Sequence, residues 1–123
     1  MKYLFLAFGG IIGVIARYQL GVWISEWNTT PFPWATLVIN ITGSLAIGFF
    51  IRYLTGVASS PNMRLMLVTG VCGGYTTMST FSYEVVNLFT ERQYGLGVAY
   101  LGSTIVLAPL AVLAGFVLAE LAL

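Results

Sequence analysis

Charge is almost absent from this sequence, and its placement dictates the architecture. Five basic and four acidic residues occur in 123: Lys2, Arg17, Arg52, Arg64 and Arg92, with Glu26, Glu84, Glu91 and Glu120. Between them run uncharged stretches at 3–16, 27–51, 65–83 and 93–119. A soluble domain carries about 25% charged residues. Here the figure is 7%, against 59% hydrophobic, so there is too little polar surface to face water. A helix that crosses a bilayer needs about 20 mostly apolar residues. The last two stretches meet that length, and 27–51 does so once its start is trimmed. The first meets it only if Arg17 is accepted within the helix. The expected fold is therefore all-α: an integral membrane protein with one domain of four transmembrane helices, over residues 3–25, 34–55, 63–90 and 95–121.

Several function classes fall away. Lys2 followed by an apolar run resembles a signal peptide. No small-residue cleavage site leads into a polar mature domain, however, and another span follows. Cys72 is the single cysteine and histidine is absent, which rules out an intrachain disulfide and argues against a Cys/His metal site. With no basic patch there is nothing to hold nucleic acid. With no nucleophile–base pair or metal cluster, an enzyme is not expected.

The spans differ in what they carry. In helix 1, Gly9, Gly13, Arg17 and Gly21 recur every fourth position, a small-residue row that lets backbones approach closely in lipid. The loop 28–33 contains the breakers Pro31 and Pro33. Helix 2 places Asn40, Gly43, Ser44 and Gly48 on one face. The loop 56–62 holds Ser59, Ser60 and Pro61, turn residues by composition. In helix 3, Gly70, Gly73 and Gly74 precede five hydroxyl residues: Thr76, Thr77, Ser79, Thr80 and Ser82. That is poor material for a continuous helix, and a break is expected over Gly73–Thr77. Unwound backbone at membrane depth persists only where protein buries it or it lines a cavity, so the break marks the functional site. Helix 4 aligns Tyr100, Thr104 and Ala108 on one face and contains Pro109, a source of kinking.

If the loops alternate sides, Lys2, Arg52 and Arg64 lie at one membrane face, with Arg92 and the deeper Arg17 toward the other. Three against two is almost no positive-inside bias. Such a chain can insert both ways round, and two opposed copies would pair about an axis in the membrane plane. Four helices are also too few to enclose a sizeable polar path alone.

These pieces together resemble the Fluc (CrcB) family of fluoride channels. The matching residues are Gly9-Gly10-x-x-Gly13-x-x-x-Arg17-Tyr18 and Thr36-Leu37-x-x-Asn40-x-x-Gly43-Ser44 with Gly48. The third set is Gly70-x-Cys72-Gly73-Gly74-Tyr75-Thr76-Thr77-x-Ser79-Thr80-Phe81-Ser82-x-Glu84. The resemblance covers essentially the whole chain. It implies an antiparallel, dual-topology dimer in a prokaryotic plasma membrane, carrying fluoride through two pores around a structural central sodium ion. The backbone carbonyls of Gly73 and Thr76 are the implied sodium ligands. Asn40, Met78, Phe81, Ser82, Glu84, Tyr100 and Thr104 are implied along the fluoride path, and Arg17 corresponds to the family's helix 1 arginine. The sequence departs from the family at Met78, where an aromatic is usual, at Ala35 in place of glycine, and at Ala108 in place of serine. A homodimer is expected, a paralogue that supplies the missing aromatic being the other arrangement.

The chemistry is consistent with that reading. Fluoride is strongly hydrated, and a pore must replace its water with donors, each hydrogen bond to a charged group contributing about 1.5–3 kcal/mol. Asn40 and the hydroxyls can donate, and the positive edge of Phe81 adds a weaker contact. Each residue also has a plainer role. Asn40 could bond a neighbouring helix, the hydroxyls could satisfy freed backbone groups, Phe81 and Tyr100 could be core, and Arg17 could snorkel to the interface. Two other functions stay open at this point. A small multidrug-type proton-coupled exporter would want a carboxylate deep in helix 1, where this chain has Arg17. A non-transporting accessory protein would give no reason for the break.

Overall fold

The computed structural model describes residues 1–123 and is all-helical apart from short connections, with no strand. In chain order the elements are α1 (Lys2–Trp27), α2 (Trp34–Gly56), α3 (Pro61–Arg64), a π-helical run (Leu65–Cys72), α4 (Gly73–Tyr75), α5 (Met78–Thr90) and α6 (Tyr94–Ala122). By length and composition α1, α2 and α6 can each cross a bilayer. The third crossing is made in two pieces: a continuous helical arm from α3 through α4, then α5.

The connections follow from local chemistry. Asn28 accepts from the backbone N–H and hydroxyl of Thr30 and donates to the Phe32 carbonyl at 2.7 Å, which folds the loop ahead of Pro33. Ser60 caps α3 by accepting from the Met63 N–H, with Pro61 at the first helical position where its missing donor costs nothing. Ala58 and Arg92 take positive φ, 51° and 60°, at the turns that follow α2 and α5.

Packing between spans relies on missing side chains. A Cβ on Gly48 would strike the Val112 carbonyl, and one on Gly115 the Leu45 carbonyl, so α2 and α6 lie backbone to backbone. The α1 helix packs in the same way on the π-helical run. Pro109 sits inside α6, which continues through it. Arg52 and Glu120 form an ion pair that ties the C-terminal ends of α2 and α6 together.

Three details add to or differ from the sequence reading. The break is narrower than Gly73–Thr77: only Thr76 (φ −81°, ψ 157°) and Thr77 (φ −148°, ψ 116°) leave the helix. Gly73 and Gly74 stay helical, and Gly74 serves close packing, since a Cβ there would lie 2.9 Å from the Gly10 carbonyl. The arm before the break is π- rather than α-helical over eight residues. Arg17 does not snorkel outward but turns to the break, donating to the Thr76 carbonyl. With Arg17 drawn inside, three basic residues remain at one end (Lys2, Arg52, Arg64) and Arg92 alone at the other.

Candidate functional site

The break is held from α2. Asn40 Nδ2 donates to the Thr77 carbonyl at 3.0 Å, and the Thr77 N–H donates to Asn40 Oδ1 at 2.8 Å. One amide side chain thereby satisfies both backbone polar groups of Thr77, one of the two residues that leave the helix, as non-helical backbone at this depth requires. In an unbroken helix the Thr77 N–H would bond the Gly73 carbonyl; diverting it to Asn40 releases that carbonyl. The Thr77 hydroxyl then caps α5, accepting from the Thr80 N–H at 3.2 Å. So one helical arm ends on carbonyls and the next begins on N–H groups, within two residues of each other.

Beside the break lies a groove of about 270 Å3 whose walls include Asn40, Thr76, Met78, Phe81 and Thr104. Three of its donors are unspent, the Ser44 hydroxyl, which bonds nothing within the chain, being one. The Asn40 amide has two N–H groups and only one is engaged within the chain. The Thr104 hydroxyl is buried and has no hydrogen-bond partner. A buried hydroxyl without a partner is uncommon in folded proteins and calls for a reason. Ser44 and Thr77 complete the polar part of the wall, and Ile47, Phe81 and Ala108 its apolar part.

Behind Phe81 sits a second polar cluster. Phe81 and Tyr100 meet edge to face, with centroids 5.1 Å apart and planes at 71°. The Tyr100 hydroxyl donates to Glu84 Oε2 at 2.8 Å, and the Thr36 hydroxyl donates to Glu84 Oε1 at 2.7 Å. Tyr100 is fully buried, packed with Phe81, Leu37 and Leu88. The carboxylate is thus fixed by two hydroxyls at the inner end of an aromatic pair, while the groove opens at its outer end.

The residues singled out from sequence fall into three places. Asn40, Met78, Phe81 and Thr104 share the groove; Glu84 and Tyr100 form the cluster behind it; Arg17 reaches the Thr76 carbonyl at 3.4 Å. Ser82 lies exposed on α5, apart from the groove, and Gly73 is exposed with open space where a Cβ would stand. Met78 is a groove wall but 73% exposed, so its side chain faces outward as much as inward. Thr36 was not singled out from sequence as a site residue, although it binds Glu84. Extending the α2 polar row by one turn, 36, 40 and 44, would have found it.

Comparison with known proteins identifies the family. The profile of the family described as "CrcB-like protein, Camphor Resistance (CrcB)" matches residues 4–116. A protein of Acidobacterium capsulatum named "Fluoride-specific ion channel FluC" is 46% identical over 118 residues, 95% of this chain and 94% of its own. Proteins of the same name from Rhizobium meliloti and Phocaeicola vulgatus are 42% and 40% identical, covering 89% and 98% of this chain and 89% and 100% of their own. With a family match across nearly the whole length and these relatives at full span, the chain belongs to the CrcB family of multi-pass prokaryotic membrane proteins.

Proposed function

We propose that this protein conducts fluoride passively and selectively across the membrane, as a channel and not an enzyme. The observation that carries the reading is the groove at the helix break, which holds a spare Asn40 N–H and the partnerless Thr104 hydroxyl beside the Phe81 ring. Those groups are donors aimed at no protein acceptor, as a site for a small desolvated anion requires. Few and neutral, they also hold the ion weakly enough for it to leave. From the groove, fluoride passes the edge of Phe81 toward Tyr100 and Thr36, whose hydroxyls donate to Glu84 in this structure and would have to turn from the carboxylate to meet the ion. Arg17 keeps a positive charge beside the break without entering the groove wall.

The working form is an antiparallel dimer of this chain; pairing with a paralogue is the alternative assembly. In a single copy Gly73, Ser79, Thr80 and Ser82 are exposed around the break, and hydroxyls turned to hydrocarbon are costly. A second copy, inverted, would bring break against break and close the open side of the groove. The excess of basic residues at one end is only two, 3 − 1, which favours neither orientation strongly.

The released Gly73 carbonyl and the Thr76 carbonyl, at the negative end of the helical arm, are hard oxygen donors suited to sodium on the dimer axis. A sodium ion there would fasten the two breaks together and supply positive charge beside the anion path. Replacing sodium by a large organic cation on both sides of the membrane should therefore stop fluoride flux. Undiminished flux would remove sodium from the reading. A proton-coupled cation exporter is separated from a channel by imposing a pH gradient on liposomes loaded with an organic cation. Passive fluoride conduction requires no proton-driven cation movement, and its appearance would transfer the chain to the exporter class.

A further inference from the structure

The π-helical run and α1 are matched residue by residue. A Cβ on Gly9 would strike the Met66 carbonyl, and one on Gly13 the Val71 carbonyl. One turn further along α1, Arg17 Nη1 donates to the Thr76 carbonyl. On α1 the partners stand four residues apart, at 9, 13 and 17, whereas on the third span they stand five apart, at 66, 71 and 76. Four residues of α-helix advance about 6 Å and five about 7.5 Å. An α-helical third span would overrun its partner row by about 1.5 Å from Met66 to Val71 alone. The i→i+5 bonding of a π-helix winds more residues into each turn, and so returns every fifth carbonyl to the same face. The first step of five lies within Leu65–Cys72, and the second ends on the extended residue Thr76.

We propose that Gly9, Gly13 and Arg17 act as a gauge that sets the register of the third span. In this arrangement the π-helical run absorbs one surplus residue so that the Thr76 carbonyl meets Arg17 and the Thr77 peptide meets Asn40. Gly9 and Gly13 are positioning residues, since neither lines the groove. The surplus is then removable. Deleting the exposed Thr69 lets the run close to an α-helix with Met66 and Val71 four positions apart, in step with Gly9 and Gly13. Deleting one residue from an ordinary α-helical span, such as Ala46 of α2, leaves no such escape and slips Gly48 off Val112.

The test is fluoride efflux from liposomes holding each deletion variant, with wild type in parallel. The comparison rests on fluoride conduction, and a silent wild type would indict that reading and not this one. Deletion of Thr69 should keep efflux of wild-type order. Deletion of Ala46 should lower it about a hundredfold, the scale of penalty that a displacement of about 1 Å imposes on a positioned site. Loss in both variants, including failure to assemble, or retention in both, overturns the proposal. A second pair reads the gauge directly: Gly13→Ala should lose flux in assembled protein while Gly10→Ala, whose Cβ meets open space, keeps it. Wild-type flux in Gly13→Ala would equally overturn it.

Discussion

Replacing Asn40 by Asp tests whether the groove depends on a donor at that position. The change is nearly isosteric, and Oδ1 can still accept from the Thr77 N–H, now 2.8 Å away. The other half of the clamp is lost. The Thr77 carbonyl, which receives Nδ2–H at 3.0 Å, would face a carboxylate oxygen with no proton between them. Leaving such a group unpaired costs about 1–3 kcal/mol of stability. The effect on the ion is larger. A fixed negative charge roughly 4 Å from a passing anion raises its energy by about 4 kcal/mol at an effective dielectric of about 20. At about 1.4 kcal/mol per tenfold, that is a slowing of about a thousandfold. The assay is fluoride efflux from proteoliposomes with a potassium shunt, on protein whose assembly is confirmed by gel filtration. Flux within tenfold of wild type in well-assembled Asn40→Asp would refute the donor role, leaving Asn40 as a clamp on the backbone alone.

Other substitutions probe the remaining wall. Thr104→Val removes a hydroxyl that bonds nothing within the chain, so thermal stability should hold or rise while fluoride flux falls; a destabilised protein with normal flux would contradict this. Phe81→Ile should abolish flux, because the ring edge beside Tyr100 is lost while bulk is kept, whereas Met78→Phe, on a largely exposed wall, should be tolerated or faster, as paired efflux measurements can show. Gly48→Ala drives a methyl into the Val112 carbonyl and should cost about 1–3 kcal/mol, read as a lowered unfolding midpoint in detergent. Two lysines added between residues 56 and 62 enlarge the basic excess at one end. They should fix one orientation and abolish function alone, with recovery on co-expression of an oppositely biased chain; unaided function would contradict antiparallel assembly.

Much of this was legible in the sequence, because membrane helices announce themselves through uncharged length. The spans, the glycine contacts of Gly9, Gly13 and Gly48, and a break in helix 3 all follow from composition and spacing. The break's width was not legible. Glycines at 73 and 74 look like the cause of unwinding, yet they stay helical, and the chain parts where Asn40, 37 residues earlier, captures the Thr77 peptide. The direction of Arg17 was left open for a similar reason. Its position near a helix end allows snorkelling, and only the long-range contact with Thr76 turns it inward. The π-helical run leaves no mark in its own residues, because it comes from a mismatch of step with α1. Thr36 was quoted only as part of the helix 2 motif, because its role shows once its partner, Glu84, is in place.

Everything above turns on whether the groove passes fluoride and little else. Purified protein in liposomes loaded with equal fluoride and chloride, with a potassium shunt and no proton gradient, addresses that directly. Two ion-selective electrodes outside would follow each anion in the same sample. A channel built on a spare amide N–H, a lone hydroxyl and an aromatic edge should release the fluoride down its gradient while chloride stays inside. Release of both anions at equal rates, or of neither, would contradict it.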